Sequence, residues 1–321
     1  MTRIAAALAV VAAIISSVSA QAQPYPNRPI RLIVPFPAGG PVDVMGRLVA
    51  QHLSSSLGQQ VVVDNRPGAG STLAGREAAR SEPDGYTLLL GSAATLAIGP
   101  ALFKNIGYDP VTSFAPIAFV SSVPYVMVAG PKAPARTVQE IIAYARANPG
   151  KLNFGVPNGA PPHMLAGWFK AITSTDIVVV PYKGAATVIT DLIGGQIDLG
   201  FETTSVTLSH LHEGTIRPLG VATRVRLPEL AEVPTMIESG VADFVASSWT
   251  GILAPAGTPP EIVRMLNRAI NEGVNSPAMQ PRLKQLAAET KPGSPEDFAA
   301  FIALEAPKWT GMAKLSVVSS Q

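Results

Sequence analysis

The sequence predicts an α/β protein built as two lobes, each a mostly parallel sheet flanked by helices. Three observations carry this. Short apolar runs bounded by turn residues alternate with helical patterns, which is the arrangement of parallel-sheet proteins. Most of those runs lack polar alternation, as expected of strands buried on both faces. The alternation also breaks twice, as if the chain crossed between lobes and returned.

The elements follow in order. Met1-Thr2-Arg3, an apolar run to Ile15 and the small residues Ser16–Ala22 read as a secretory leader over 1–22. Cleavage before Gln21 and before Gln23 both fit, and nothing downstream supplies the roughly 20 apolar residues of a membrane anchor. Strand candidates are Ile30–Phe36, Gln60–Val63, Tyr86–Leu90, Ile117–Phe119, Tyr125–Val128, Leu152–Val156, Ile177–Val180, Ile197–Phe201, Leu219–Ala222 and Trp249–Leu253. Pro83-Asp84-Gly85 is a turn leading into the third.

Helix starts are equally readable. Thr137-Val138-Gln139-Glu140 is a capping box, Thr258-Pro259-Pro260-Glu261 repeats it, and Ser276-Pro277 and Ser294–Asp297 mark later starts. Phe114–Val120 and Pro124–Ala129 follow each other with no room for a helix, and Ser247–Pro255 stands isolated before a purely helical tail. These breaks place lobe 1 at 23–122 and 250–321, lobe 2 at 123–249, and hinge crossings near 121–125 and 246–252.

Composition excludes several functions. There is no cysteine, hence no disulfide, thiol catalysis, zinc–thiolate site or lipid anchor on an N-terminal cysteine. The net charge is +2, or +1 once Arg3 leaves with the leader, and charged residues make up 14% without a basic cluster, so nucleic acid is not the partner. No HExxH, GxSxG or phosphate-loop lysine motif occurs. Gly68-Ala69-Gly70-Ser71 lacks the third glycine of a dinucleotide site. His52, His210 and His212 read as helix-face residues, whereas His163 follows the loop Pro157–Pro162 and is a site candidate.

Four loops of one kind follow strands: Pro37–Gly40, Gly91–Thr95, Asn158–Ala160 and Lys183–Ala186. Ligands of α/β sheets bind at the carboxyl ends of strands, where helix N-termini present free amides and small residues permit close approach. Asp43, in the first turn after Gly39-Gly40-Pro41, has two readings. Its carboxylate accepts local amides, or it orients water or accepts from a ligand hydroxyl or amine.

The segments YPNRPIRLIVPFPAGGPVDVMGR, VVVDNRPGAG, PDGYTLLLGS, YDPVTSFAPIAFV, PNGAPPHMLAGWFK, VPYKGA, GGQIDLGF, VPTMIESG and WTGILAPAGTP occur in the order found in one family. The chain resembles the Bug family, extracytoplasmic solute receptors associated with tripartite tricarboxylate transporters. The resemblance implies a type II-like periplasmic binding fold, a Venus flytrap closing on a small carboxylate. It also implies a periplasmic monomer that uses no cofactor, has no catalytic activity and delivers its ligand to membrane transporter subunits. A sensor signalling to a two-component system is the alternative role, and an enzyme on the same fold the third.

Carried over by position, the resemblance marks Phe36, Ala38, Gly39, Asp43, Ser92, Thr95, Asn158, Gly159, Ala160, His163, Gly184 and Ala185 as ligand-binding, and the pocket-facing Glu202 joins them. The chain departs from the family at Ala160, commonly a hydroxyl residue, at Ala185 and Ala186, commonly glycine, and at Leu96 and Gly99, often His and Asn. It departs again at Glu202-Thr203, usually Asp-Asn. These changes remove polar partners from the pocket loops, so the expected ligand is a less polar carboxylate, aromatic or aliphatic.

Overall fold

Two long strands organise the molecule. In the computed structural model, which describes residues 25–318, β4 (Phe114–Ala129) and β9 (Ser247–Pro255) run antiparallel side by side. Pro116–Ala118 and Phe119–Ser121 carry register shifts against β9, and such bulges bend and twist a strand. The two runs expected as separate strands at Ile117–Phe119 and Tyr125–Val128 are therefore one strand. Its first half is paired in one sheet and its second half in another.

The first sheet has the order β2-β1-β3-β9-β4, from β1 (Ile30–Val34), β2 (Val61–Asn65) and β3 (Thr87–Ser92). The second sheet continues from β4 through β7 (Leu199–Thr203) and β5 (Asn153–Pro157) to β6 (Val178–Tyr182), with β8 (Arg217–Val221) on the other side of β4. Pairs β1–β2, β1–β3, β5–β6 and β5–β7 are parallel, and the pairs made by β4 and β9 are antiparallel. Each sheet thus has one strand running against the rest: β9 in the first and β4 in the second. Nine strands lie among the described residues where the sequence offered ten candidates.

Helices cover the faces. They are α1 (Pro41–Leu57), α2 (Thr72–Ala79), α3 (Gly99–Leu102), α4 (Val138–Ala147), α5 (Pro161–Thr173), α6 (Ala185–Gly194), α7 (Thr204–His212), α8 (Pro260–Val274), α9 (Gln280–Gln285) and α10 (Pro295–Val318). In the first lobe Ile30, Leu32 and Val34 pack with Met45, Val49 and Leu53 of α1 and Leu266 and Ile270 of α8, all buried. In the second, Phe154, Phe201 and Phe244 stack with ring centroids 5.4 Å apart in each successive pair. The last helix, α10, packs on both β4 and α5, and its buried Trp309 meets Tyr125 edge-on.

Of the four expected helix starts, two carry the expected cap, one lacks it, and the helix expected from Ser276 begins only at Gln280, with Met279 as its uncapped N-cap residue. Thr137 accepts from the Glu140 amide at 3.2 Å while Glu140 accepts from the Arg136 amide at 2.7 Å. Ser294 and Asp297 do the same for α10, at 3.1 and 2.8 Å. At α8 the expected box does not form. Pro259 is the N-cap residue, and the Thr258 hydroxyl turns back to donate to the Pro255 carbonyl at 2.8 Å. The leader expected over 1–22 lies outside the described residues. Among those described, no helix is long and apolar enough to cross a membrane.

Candidate ligand-binding site

The loop that leaves β1 is built around its acid. Gly39 sits at φ +84°, a conformation open to glycine, and Gly40 is the extended N-cap of α1 with Pro41 at the first helical position. Asp43, only 1% exposed, accepts from the Gly39 amide at 2.8 Å, from Arg47 Nε at 2.9 Å and from Asn65 Nδ2 at 2.8 Å. Asn65, at the end of β2, also donates to the Phe36 carbonyl at 3.0 Å. Burial alone would raise the Asp43 carboxyl. The hydrogen bonds from Arg47, Gly39 and Asn65 outweigh it and hold that carboxyl below its ordinary value. The acid fastens the loop from behind, so its local reading is the one the geometry realises.

Four helices start beside one space between the lobes without a side-chain cap: α1, α5, α6 and α7. Their N-cap residues are Gly40, Ala160, Gly184 and Thr203. The first three have no side chain able to accept, and the Thr203 hydroxyl instead pairs with Ser205 Oγ at 2.9 Å. First-turn amides lacking an internal partner make a helix start attractive to anions.

The space is a cavity of about 250 Å³. From lobe 1 come Phe36, Pro41, Val42 and Met45, from the long strands Ser121, Tyr125, Ser248 and Thr250, and from lobe 2 Ala160, Ala185, Glu202 and Thr203. A smaller space of about 80 Å³ adjoins it, sharing Phe36, Val42, Tyr125 and Ser248 and adding Ser92 and Trp249. Among the described residues, no Lys, Arg or His lines either one. Several buried polar atoms here lack partners: Ser92 Oγ and Trp249 Nε1 in the smaller space, and Glu202 Oε1 in the larger. Glu202 is 3% exposed, and burial pushes its carboxyl up to about 8.

A larger groove of about 740 Å³ lies between α3, α10 and the start of β4. Its walls are mainly apolar, and none of its lining residues carries an unpartnered buried polar atom. Three orphaned polar atoms and four bare helix starts instead meet between the lobes.

Of the residues expected at the site, Phe36, Ala160, Ala185 and Glu202 line the main cavity and Ser92 lines its extension. Ala38, Gly39, Asn158, Gly159 and Gly184 lie on the same loops but outside the lining. Asp43 is bonded behind the first loop. Thr95 is fully buried, with its carbonyl accepting from the Tyr108 hydroxyl at 2.6 Å and its own hydroxyl unpartnered. The His163 ring lies outside the lining and accepts from the Gly159 amide at 3.3 Å through Nδ1, and burial lowers its pKa. Lining residues that the sequence did not single out include Val42, Met45, Ser121, Val123, Tyr125, Ser248, Trp249, Thr250 and Leu286.

Comparison with known proteins agrees with this architecture. The family model for the tripartite tricarboxylate transporter family receptor matches residues 45–316. BugT of Bordetella pertussis (strain Tohama I) is 39% identical over 319 residues, which is 98% of this chain and 97% of its own. Among solved structures, R. palustris Rpa4515 with adipate superposes with a TM-score of 0.81 at 35% identity, covering 91% of this chain and 98% of its own. MatC from Rhodopseudomonas palustris with bound malate superposes with a TM-score of 0.79 at 29% identity, covering 90% and 100%. With its two sheets joined through β4 and β9, its interlobe cavity and a family match over most of its length, the chain belongs to the tripartite tricarboxylate transporter receptor family.

Proposed function

We propose that this chain is an exported periplasmic receptor that captures a small carboxylate between its lobes and hands it to membrane subunits of a tripartite transporter, without catalysing a reaction. The observation that carries this reading is the convergence of four uncapped helix starts on a cavity that, among the described residues, no cationic side chain lines. Backbone amides and hydroxyls are then the donors for an anion. The adipate and malate held by the two related proteins support the same ligand class. The cavity walls are largely Phe36, Val42, Met45, Pro157, Val123 and Val206, so the ligand has an apolar body between its polar ends. The family consists of receptors, and the lining holds no His or Lys to pair with Glu202 in acid–base work.

In this reading lobe 1 is 23–122 with 250–321 and lobe 2 is 123–249, and the protein acts as a monomer. Closure occurs about β4 and β9 near 121–125 and 246–252, where Ser121 Oγ and Thr250 Oγ1 meet at 3.2 Å. Ligand shifts the population toward the closed form, which the transporter recognises. Phe36, Ala160, Ala185, Glu202 and Ser92 contact the ligand or its ordered water. Ala38, Gly39, Asn158, Gly159 and Gly184 shape the loops, and Asp43, Thr95 and His163 hold them in position.

Thermal shift followed by calorimetry with malate, adipate, hexanoate and benzoate tests the reading. Stabilisation by at least one acid is expected. Stabilisation by neutral solutes of similar size, with no response to any acid, would overturn it.

A further inference from the structure

We propose that Glu202 engages the ligand as a neutral acid, donating a hydrogen bond to a ligand oxygen, so that capture of the anion requires one proton to be held at this position. This deepens, and rests on, the reading of the cavity as a carboxylate site.

The geometry of Glu202 departs from that of an ordinary charged residue. It is the second-last residue of β7, paired with Val126 of β4, with Phe201 before it in the aromatic core. It lines the cavity, is 3% exposed, and its Oε1 has no partner. An ionised carboxylate there would be desolvated, unpaired and set against an anionic ligand, and each of these disfavours charge. The neutral acid offers one O–H donor and keeps acceptor capacity, so it serves a ligand oxygen where the anion would repel it.

Nothing charged on the surrounding elements compensates. β5 has no titratable side chain. From β4 comes Tyr125, whose phenol is itself raised, first by burial and then by Glu202. On α5 stand His163, engaged with Gly159, and Lys170 in its last turn. On α6 Asp191 accepts from the Tyr182 hydroxyl, and on α7 His210 and His212 lie in the last turn. Across the cavity Asp43 is bonded to Arg47. Burial alone accounts for the Glu202 carboxyl being pushed up to about 8, which leaves it mainly protonated at neutral pH.

Adipate titrations between about pH 6.5 and 9.5, where this probe is fully ionised, test the proposal. Wild-type affinity stays level to about pH 7.5 and then weakens by up to about tenfold per unit. Near pH 8.5 the apparent binding enthalpy differs between phosphate and Tris buffers, reporting proton uptake. Glu202→Gln, which keeps an N–H donor but cannot titrate, shows neither effect. Glu202→Leu, which removes the donor, weakens binding at least about tenfold at pH 6.5. A second arm needs no ligand: the melting temperature of the wild type falls relative to Glu202→Gln as pH rises from 4.5 to about 8. Affinity that is flat or rises with pH, a Glu202→Leu variant that binds like the wild type, or parallel melting profiles would each overturn the proposal. A wild type that binds none of the acids overturns the carboxylate reading instead, and is told apart because the melting arm still reports a proton on Glu202.

Discussion

Two buried acids stand on opposite sides of the same cleft, and their surroundings push them in opposite directions. Asp43 has a guanidinium, a backbone amide and an amide side chain within 2.9 Å and stays ionised. Glu202 has no partner at Oε1 and is held neutral. Burial alone decides neither role, since both side chains are almost fully buried. What differs is the supply of donors: the first acid organises a loop and the second faces the ligand space. A site for anions can therefore contain acids, provided one is matched internally and the other keeps its proton.

The widest swing comes from moving pH across the two acids in the free protein. A carboxyl raised in the folded state contributes stability that is fully present below its unfolded value and is lost as pH rises. The Glu202 contribution thus drains away between 4.5 and about 8, at up to about 1.4 kcal/mol per pH unit. Asp43 has the reverse sign. Its contribution is present above 3.8 and is lost as pH falls through its depressed folded value. Glu202→Gln should remove the neutral-range slope, and Asp43→Asn should diminish the acid-range one, both read from melting curves across pH. If the two variants alter the same window, the contrast between the acids fails.

Next in size, Asp43→Ala leaves the Gly39 amide and Asn65 short of an acceptor in a buried setting. It should lower stability by about 1–3 kcal/mol at pH 7 and weaken ligand binding as the first loop loosens. Denaturant titration checks the first effect and calorimetry the second. Unchanged stability with lost binding would return Asp43 to the ligand-contact role. Smaller again is Thr137→Ala, which removes a cap far from the cleft. It should cost about 1 kcal/mol and leave ligand affinity unchanged.

The parts legible in the sequence share a cause. Strands ended by Gly and Pro announce the loops that hold Phe36, Ala160 and Ala185, and a helix start leaves a local signature. Ser121, Tyr125, Trp249 and Thr250 were hidden because β4 and β9 acquire their meaning by pairing with each other. Ser121 and Thr250 meet across 129 residues of chain. Trp249 reads as an ordinary core aromatic, and only the fold sets its unpartnered indole N–H at the small space beside the cavity. Leu286 comes from the helical tail, where no local pattern points to the cavity. Glu202 was visible as an acid at the end of an apolar run, but its lack of partners depends on what β4, α5 and α6 bring near it. The missing cap at Thr258 is a similar case, since two prolines follow and the hydroxyl finds the Pro255 carbonyl.

Ala160 offers the most direct test of the central claim, that bare helix starts form the anion site. It is the N-cap of α5, with φ −90° and ψ 166°, a backbone geometry suited to a capping side chain. Ala160→Asp should therefore stabilise the free protein by up to about 1 kcal/mol while placing a carboxylate where the ligand anion belongs. The decisive measurement is calorimetric titration of this variant beside the wild type, using whichever acid the wild type binds. The account predicts a variant that melts higher and has lost at least about tenfold in affinity, whereas wild-type affinity in the stabilised variant would contradict it.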